Sequence, residues 1–366
     1  MSLSQFSRFD MNYYPVTSRL NKVRIEKDHI NPSTYTPALS KEARSRIKSI
    51  AEEFKVSKLS GSSRICAFGA HTIKNGLGPT LARLVQEGWL THLATNGAGV
   101  IHDWEFAFLG SSSEDVSKNV KEGKFGTWEE TGLYINLALV VGAFEGLGYG
   151  ESIGKMITQD YIDIPSTIEL EHIICDKGFS LPKRSSAADL LYEIERLNIH
   201  SGRLGIEHPY KEYSIQKECF DKGVPFTGHP MFGHDIIYTH KANLGSAIGR
   251  TAETDFLRFV SSVSNLEKGV YLSIGSAVMS PMIFEKALSM SRNVKLQKNK
   301  DIKDCGIHVF DLQQQTWDWS KGEPPMDNAA YYLRFMKTFS RMGCRVDYTS
   351  TDNRDFLVGL YQELNS

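Results

Sequence analysis

The sequence offers little that would hold it in a membrane or against nucleic acid. No apolar run approaches the ~18 residues a membrane span requires, and the N-terminus lacks the apolar core of a signal peptide. Neither sign of charge dominates. Forty-two Lys and Arg stand against forty-three Asp and Glu, a formal net charge of −1, which gives a phosphate backbone or an acidic lipid surface nothing to recognise. Cysteine is scarce and irregular. Cys66, Cys175, Cys219, Cys305 and Cys344 are odd in number and form no CxxC or metal-type spacing, so they read as reduced thiols. These absences predict a soluble cytoplasmic protein with no nucleic-acid or membrane partner.

What is present is a globular composition. The chain has 366 residues, 41% of them hydrophobic, enough to bury about 75% of its unfolded surface and to exclude disorder. The length suits two domains or one large α/β domain. Residues 1–60 are polar and irregular, with a turn at Asn31-Pro32-Ser33-Thr34 and a helix from Lys41 to Lys55 that Ser40 would cap. They read as an N-terminal arm and helix outside the sheet. From residue 61 to 366 the grammar is α/β. Ile65 to Ala70 forms a short buried strand, Pro79 to Glu87 a helix, Leu90 to Ala94 a second strand, and Val100 to Leu109 a second helix. Val224–Thr227, Gly269–Ile274, Ile307–Phe310 and Arg345–Tyr348 supply later strands, and Pro281–Ser291 a later helix. The expected fold is a doubly wound, mainly parallel Rossmann-like sheet with helices on both faces and helical decoration over 115–220.

Two glycine turns at strand ends draw a functional reading. Asn96-Gly97-Ala98-Gly99 joins a strand to a helix N-terminus, where backbone N–H groups can approach a phosphate, or where the glycines serve only a tight turn. Gly275-Ser276-Ala277 is a second such turn, and two of them in one sheet predict NAD across the carboxyl ends of the strands. His102 and Asp103 follow the first turn. Lys74 follows the first strand, as an anion contact, a nucleophile or a solvated loop lysine. In Gly228-His229-Pro230-Met231-Phe232-Gly233-His234-Asp235, with His240 beyond, the histidines could bind a metal, move protons or simply occupy a loop. No metal-ligand spacing is matched. The candidate catalytic set is therefore His102, Asp103, His229, His234 and Lys74.

The segment Ala94 to Glu105, the Val224-Pro225-Phe226 strand and the turn Gly275-Ser276-Ala277-Val278 occur in the order seen in deoxyhypusine synthases, which this chain resembles over about residues 60–366. The resemblance implies a Rossmann-like tetramer with NAD at subunit interfaces, and aminobutyl transfer from spermidine through a lysine imine. Ile101-His102-Asp103 stands where the family has Glu-Glu-Asp. Gly275-Ser276-Ala277-Val278-Met279-Ser280 stands where the family has a Lys-His pair. Arg334 stands where the family has its imine-forming lysine, and arginine cannot form that imine. Lys74 or Lys337 would have to replace it. The expectation is an NAD-binding homo-oligomer acting on an amine or amino acid, with a true synthase or a non-catalytic binding protein as the alternatives.

Overall fold

The computed structural model describes residues 4–315 and 317–366. Its centre is a six-stranded parallel sheet: β1 (Arg64–Phe68), β2 (His92–Asn96), β3 (Phe226–His229), β4 (Val270–Ile274), β5 (Gly306–Asp311) and β6 (Arg345–Ser350). The spatial order is β3-β2-β1-β4-β5-β6. The chain thus winds outward from β1 in one direction, then returns to its centre and winds in the other. Both faces of the central strands are buried, which explains why they read as continuous apolar runs, whereas the edge strand β6 is only partly covered. Side chains alternate between two cores. Ile65 and Ala67 join Tyr271, Ile307 and Val309 on one face, while Cys66 and Phe68 join Leu272, Ile274 and Phe310 on the other.

The helices follow in chain order as α1 (Lys41–Leu59), α2 (Ala70–Lys74), α3 (Gly78–Gln86), α4 (Gly97–Leu109), α5 (Glu129–Glu145), α6 (Tyr149–Gln159), α7 (Ile215–Lys222), α8 (Gly245–Ser264), α9 (Met279–Leu296), α10 (Arg334–Ser340) and α11 (Asn353–Leu364). Ser40 caps α1 as expected, its Oγ accepting from Ala43 N at 3.1 Å. α1 lies outside the sheet itself but packs into its core. Ile47, Ile50 and Phe54 sit in the same core as Phe68 and Leu272, because they recur on one face of the helix. The arm before α1 also returns to the body, where Val23–Arg24 pair antiparallel with Ser111–Ser112. The segment between α4 and β3 carries the expected helices and one antiparallel ribbon, Tyr161–Ile164 with Gly202–Gly205.

The reading of all five cysteines as free thiols is also corrected. Cys305 and Cys344 are joined in a disulfide, with Cα atoms 5.2 Å apart. They immediately precede the paired residues Gly306 and Arg345 of β5 and β6, so parallel register brings together cysteines 39 residues apart. Sequence spacing carried no trace of this. Cys66, Cys175 and Cys219 are free. Among the described residues no single helix is long and apolar enough to cross a membrane. The pair α5 and α6, bent by 110°, passes on length and composition, yet Ile135, Leu139 and Ile153 belong to the core.

Candidate functional site

A cavity of about 210 Å³ lies over the carboxyl ends of β1, β2 and β3. Lys74 reaches it from the end of α2. Ala98, Ile101, His102 and Glu105 enter from α4, His234 and Asp235 from the loop after β3, and Arg19 from the N-terminal arm. The α4 positions follow the i, i+3, i+4, i+7 spacing of one helix face, so the helix presents its polar residues to the cavity as a stripe.

The centre of this wall is a buried chain of hydrogen bonds. Arg19 donates two bonds to Glu105, Nη1 to Oε1 at 2.8 Å and Nη2 to Oε2 at 2.7 Å. Thr131 Oγ1 donates to Oε1 at 3.1 Å and Ser112 Oγ to Oε2. Burial alone would raise the Glu105 pKa, but the charge and hydrogen bonds of Arg19 overcome it and hold the carboxyl below its usual range. An ionised Glu105 only accepts, so the Ser112 proton points to it. His102 Nδ1 lies 2.7 Å from the same Ser112 Oγ and must therefore be the donor in that contact. Burial lowers the His102 pKa to about 4, leaving the ring neutral near pH 7. The chain thus assigns one tautomer: Nδ1 carries the proton and Nε2 keeps its lone pair.

Asp235 faces this wall from the opposite side. Its carboxylate packs over the first turn of α4, where a Cβ built on Gly97 would lie 2.1 Å from Oδ2. Burial raises its pKa to about 6, against the opposing pull of His234 and the backbone N–H groups of Ala98 and Met231. Oδ2 has no hydrogen-bond partner among the described residues. The buried hydroxyls of Tyr149 and Tyr238, whose pKa values Asp235 helps to raise, also lack partners.

The predicted residues separate into different places. His102, Lys74 and His234 share the cavity. Asp103, one residue round the helix, points away. It accepts from Ser214 Oγ (2.6 Å) and the Ile215 and Gln216 N–H groups (3.0 and 3.1 Å), and so caps α7. This corrects its catalytic assignment. His229 is corrected likewise, since it is buried and its Nε2 meets Thr227 Oγ1, which in turn meets His92. Burial drives the His229 pKa down to about 3. His240 is held by Glu129 and the Ala242 N–H. The three histidines of that stretch therefore diverge, and among the described residues no three His, Cys, Asp or Glu groups gather as metal ligands.

The Asn96–Gly99 turn is corrected as a phosphate cradle. It forms the N-cap and first turn of α4. Asn96 Oδ1 accepts from Gly99 N at 3.0 Å, Gly99 packs on Thr95, and the space beside Gly97 is filled by Asp235. The positive end of the helix already faces a carboxylate of the protein itself. Arg19, Glu105, Ser112 and Asp235 were missed. A Glu three residues after His102 on a buried helix was a legible signal, whereas Arg19 lies 86 positions away in an irregular arm.

The second turn remains open. The sheet reverses direction between β1 and β4, and there the backbones of their following loops touch. A Cβ on Gly69 would lie 2.1 Å from Gly275 O. Gly275 has φ +55°, which favours glycine, and the space where its side chain would stand is empty. Ser276 Oγ accepts from Ser280 N at 3.1 Å, while Gly275, Ala277 and Val278 are exposed and Val278 gives α9 no side-chain cap. This crevice and the cavity share the loop after β1.

No protein-family model and no curated protein matches the chain. Among solved structures it is similar to unliganded AgrE, at 16% identity over 90% of this chain and 34% of that one, with a TM-score of 0.47. It is also similar to a conserved putative LOR/SDH protein from Methanococcus maripaludis S2, at 14% identity over 90% of this chain and 71% of that one, with a TM-score of 0.44. A third is AgrE in ternary complex with ornithine and NAD+, at 14% identity over 91% of this chain and 34% of that one, with a TM-score of 0.43. The chain spans about a third of the length of AgrE. The resemblance to deoxyhypusine synthases is corrected: no family model matches the chain, none of these structures is such a synthase, and the geometry does not supply the lysine. Arg334 is exposed, and Lys337 is tied to Glu323 at 2.9 Å and lies over the Tyr331 ring, outside the cavity.

Proposed function

We propose that the protein binds NAD in the crevice between the ends of β1 and β4 and acts on an amine or amino-acid substrate held in the neighbouring cavity. The observation that carries this reading is the strand order, with its reversal between β1 and β4. In open α/β sheets ligands occupy the crevice at such a reversal, outside the carboxyl ends of the strands. The residues there fit the phosphates of a dinucleotide. Gly69 and Gly275 bring two backbones into contact, and the start of α9 presents the positive end of its helix dipole, although Ser276 Oγ already takes the Ser280 N–H and Pro281 has none. The fit does not extend to the end of β2. There Asn96 is engaged with Gly99, and the carboxylate at that strand end, Asp235, is packed over Gly97.

Bound NAD+ supplies an acceptor for the hydride on a nitrogen-bearing carbon. The part left to the chain is the proton that the substrate nitrogen gives up. His102 Nε2 is unprotonated and its ring is oriented by Ser112 and Glu105, so it can take the proton as a general base, a weak one while burial holds its pKa near 4. The similarity to AgrE, whose structure was solved with ornithine and NAD+, is consistent with this reading.

The test is calorimetric titration of NAD+ into the wild type and into Val278→Asp. Val278 is exposed and supports no core contact, so the variant should fold while placing a negative charge where the phosphates would lie. The expected loss of affinity is tenfold or more. Equal affinity in both proteins, or no binding to the wild type, rejects the cofactor site.

A further inference from the structure

Most charged groups around the cavity are already spent on the fold. Arg19 and Glu105 satisfy each other. Glu114 accepts from Trp128 Nε1 at 2.9 Å, Gly126 N at 3.2 Å and Asn119 Nδ2 at 2.6 Å. Apart from the histidines His102 and His234, two ionisable groups of opposite sign are left over. Lys74 has no hydrogen-bond or ion-pair partner among the described residues, and Asp235 Oδ2 has none either, although Asp235 is only 9% exposed. The Asp235 carboxylate has backbone N–H partners in Ala98 and Met231 but no cation, and an orphaned buried polar atom such as its Oδ2 marks a place where a ligand, an ion or water belongs.

We propose that the cavity takes an α-amino acid as its zwitterion, with the ammonium group on Asp235 and the carboxylate on Lys74. The proposal rests on the cavity being the substrate site and narrows that reading from amines in general to amino acids. One free cation and one free anion match a ligand that carries one of each. A simple amine would leave Lys74 facing it unpaired, and a diamine would bring a second positive charge toward that lysine. A simple carboxylic acid would leave Asp235 buried without a partner. The volume supports a single small molecule. About 210 Å³ falls below the ~300 Å³ at which pockets for drug-sized ligands begin. Asp235 is among the residues that line the cavity, and the burial of Oδ2 against Gly97 means that the carboxylate must turn to receive a cation from it.

The experiment is calorimetry on the full chain with the proteinogenic L-amino acids and L-ornithine. The tightest binder is then compared with its decarboxylated amine and its deaminated acid. Each truncated compound should bind at least tenfold more weakly. Lys74→Met, at a half-exposed side chain with no structural partner, should lose tenfold or more in affinity for the amino acid without a change in thermal midpoint. Asp235→Asn should do the same wherever it folds. The proposal is overturned if no amino acid binds, if the amine or the acid binds as tightly as the amino acid, or if Lys74→Met binds normally. A separate NAD+ titration distinguishes the two readings. NAD+ binding without amino-acid binding sinks the zwitterion site alone, and the reverse sinks the cofactor crevice alone.

Discussion

Arg19 and Glu105 form a bidentate ion pair with both side chains 2% exposed, joining the N-terminal arm to the helix that lines the cavity. Removing one partner strands a buried charge, which costs more than the pair itself contributes. Arg19→Met should therefore lower stability by about 3–5 kcal/mol in urea unfolding. Arg19→Met combined with Glu105→Met should recover much of that loss, because no unpaired charge is left. A single variant within about 1 kcal/mol of wild type would show that water reaches Glu105.

Ser112 passes the direction of that pair on to His102. With Ser112→Ala, Nδ1 loses its acceptor and nothing selects the tautomer. The imidazole 15N shifts of His102 should report Nδ1–H in the wild type and a mixture in the variant. Thermal stability should change little. A wild-type ring protonated at Nε2 would remove the basis for assigning it as the base.

The scaffold was far more legible than this chemistry. Most strands of the sheet are short apolar runs between turn residues, so six strands and the α/β class could be read directly from pattern, with ends displaced by at most two residues. Pattern could not say which of two neighbouring polar residues on α4 faces the cavity. A rotation of 100° separates His102 from Asp103, and tertiary packing against α7 decides between them. The Arg19–Glu105, Cys305–Cys344 and Gly97–Asp235 contacts all join distant segments, and local sequence carries no record of such pairings.

His308 ties α1 to the sheet edge, with Nε2 2.9 Å from Glu53 and Nδ1 3.4 Å from Asp347. Burial would lower its pKa, but Asp347 and Glu53 outweigh that and raise it above the usual value. A raised folded pKa means that the stabilisation is complete below the unfolded value of ~6.5 and fades as pH climbs through the folded one. The stability gap between wild type and His308→Gln should therefore be widest under mildly acidic conditions and shrink in alkali. A gap that widens with pH would reverse the assignment.

Asp235 titrates in a lower window, between 3.8 and about 6. Its folded pKa of about 6 exceeds the ordinary aspartate value of 3.8, so ionising it costs stability as pH rises between those values. An ammonium group on the carboxylate removes that cost only when the carboxylate is charged. The thermal shift produced by a saturating amino acid should be larger at about pH 7.5 than at about pH 5. Asp235→Asn should flatten the difference, and an equal shift at both pH values would place the ammonium elsewhere.

Gly97 offers the most direct test of how the carboxylate is seated. Alanine in a helix is ordinarily better than glycine by about 1 kcal/mol, so Gly97→Ala ought to stabilise α4 on propensity alone. Here the new methyl group would lie 2.1 Å from Asp235 Oδ2, and the carboxylate must move away from its place over the first turn. Overpacking of that kind costs about 1–3 kcal/mol, enough to reverse the sign. Amino-acid affinity should fall with it, because the displaced carboxylate no longer meets the ammonium. Placed in an Asp235→Ala background, the same substitution has no carboxylate to displace, and the helix preference should reappear as a neutral or stabilising effect. The coupling between the two sites should exceed about 0.5 kcal/mol in a double-mutant cycle. Simple additivity would mean that Asp235 does not sit against Gly97 in solution, and the proposed ammonium site would go with it.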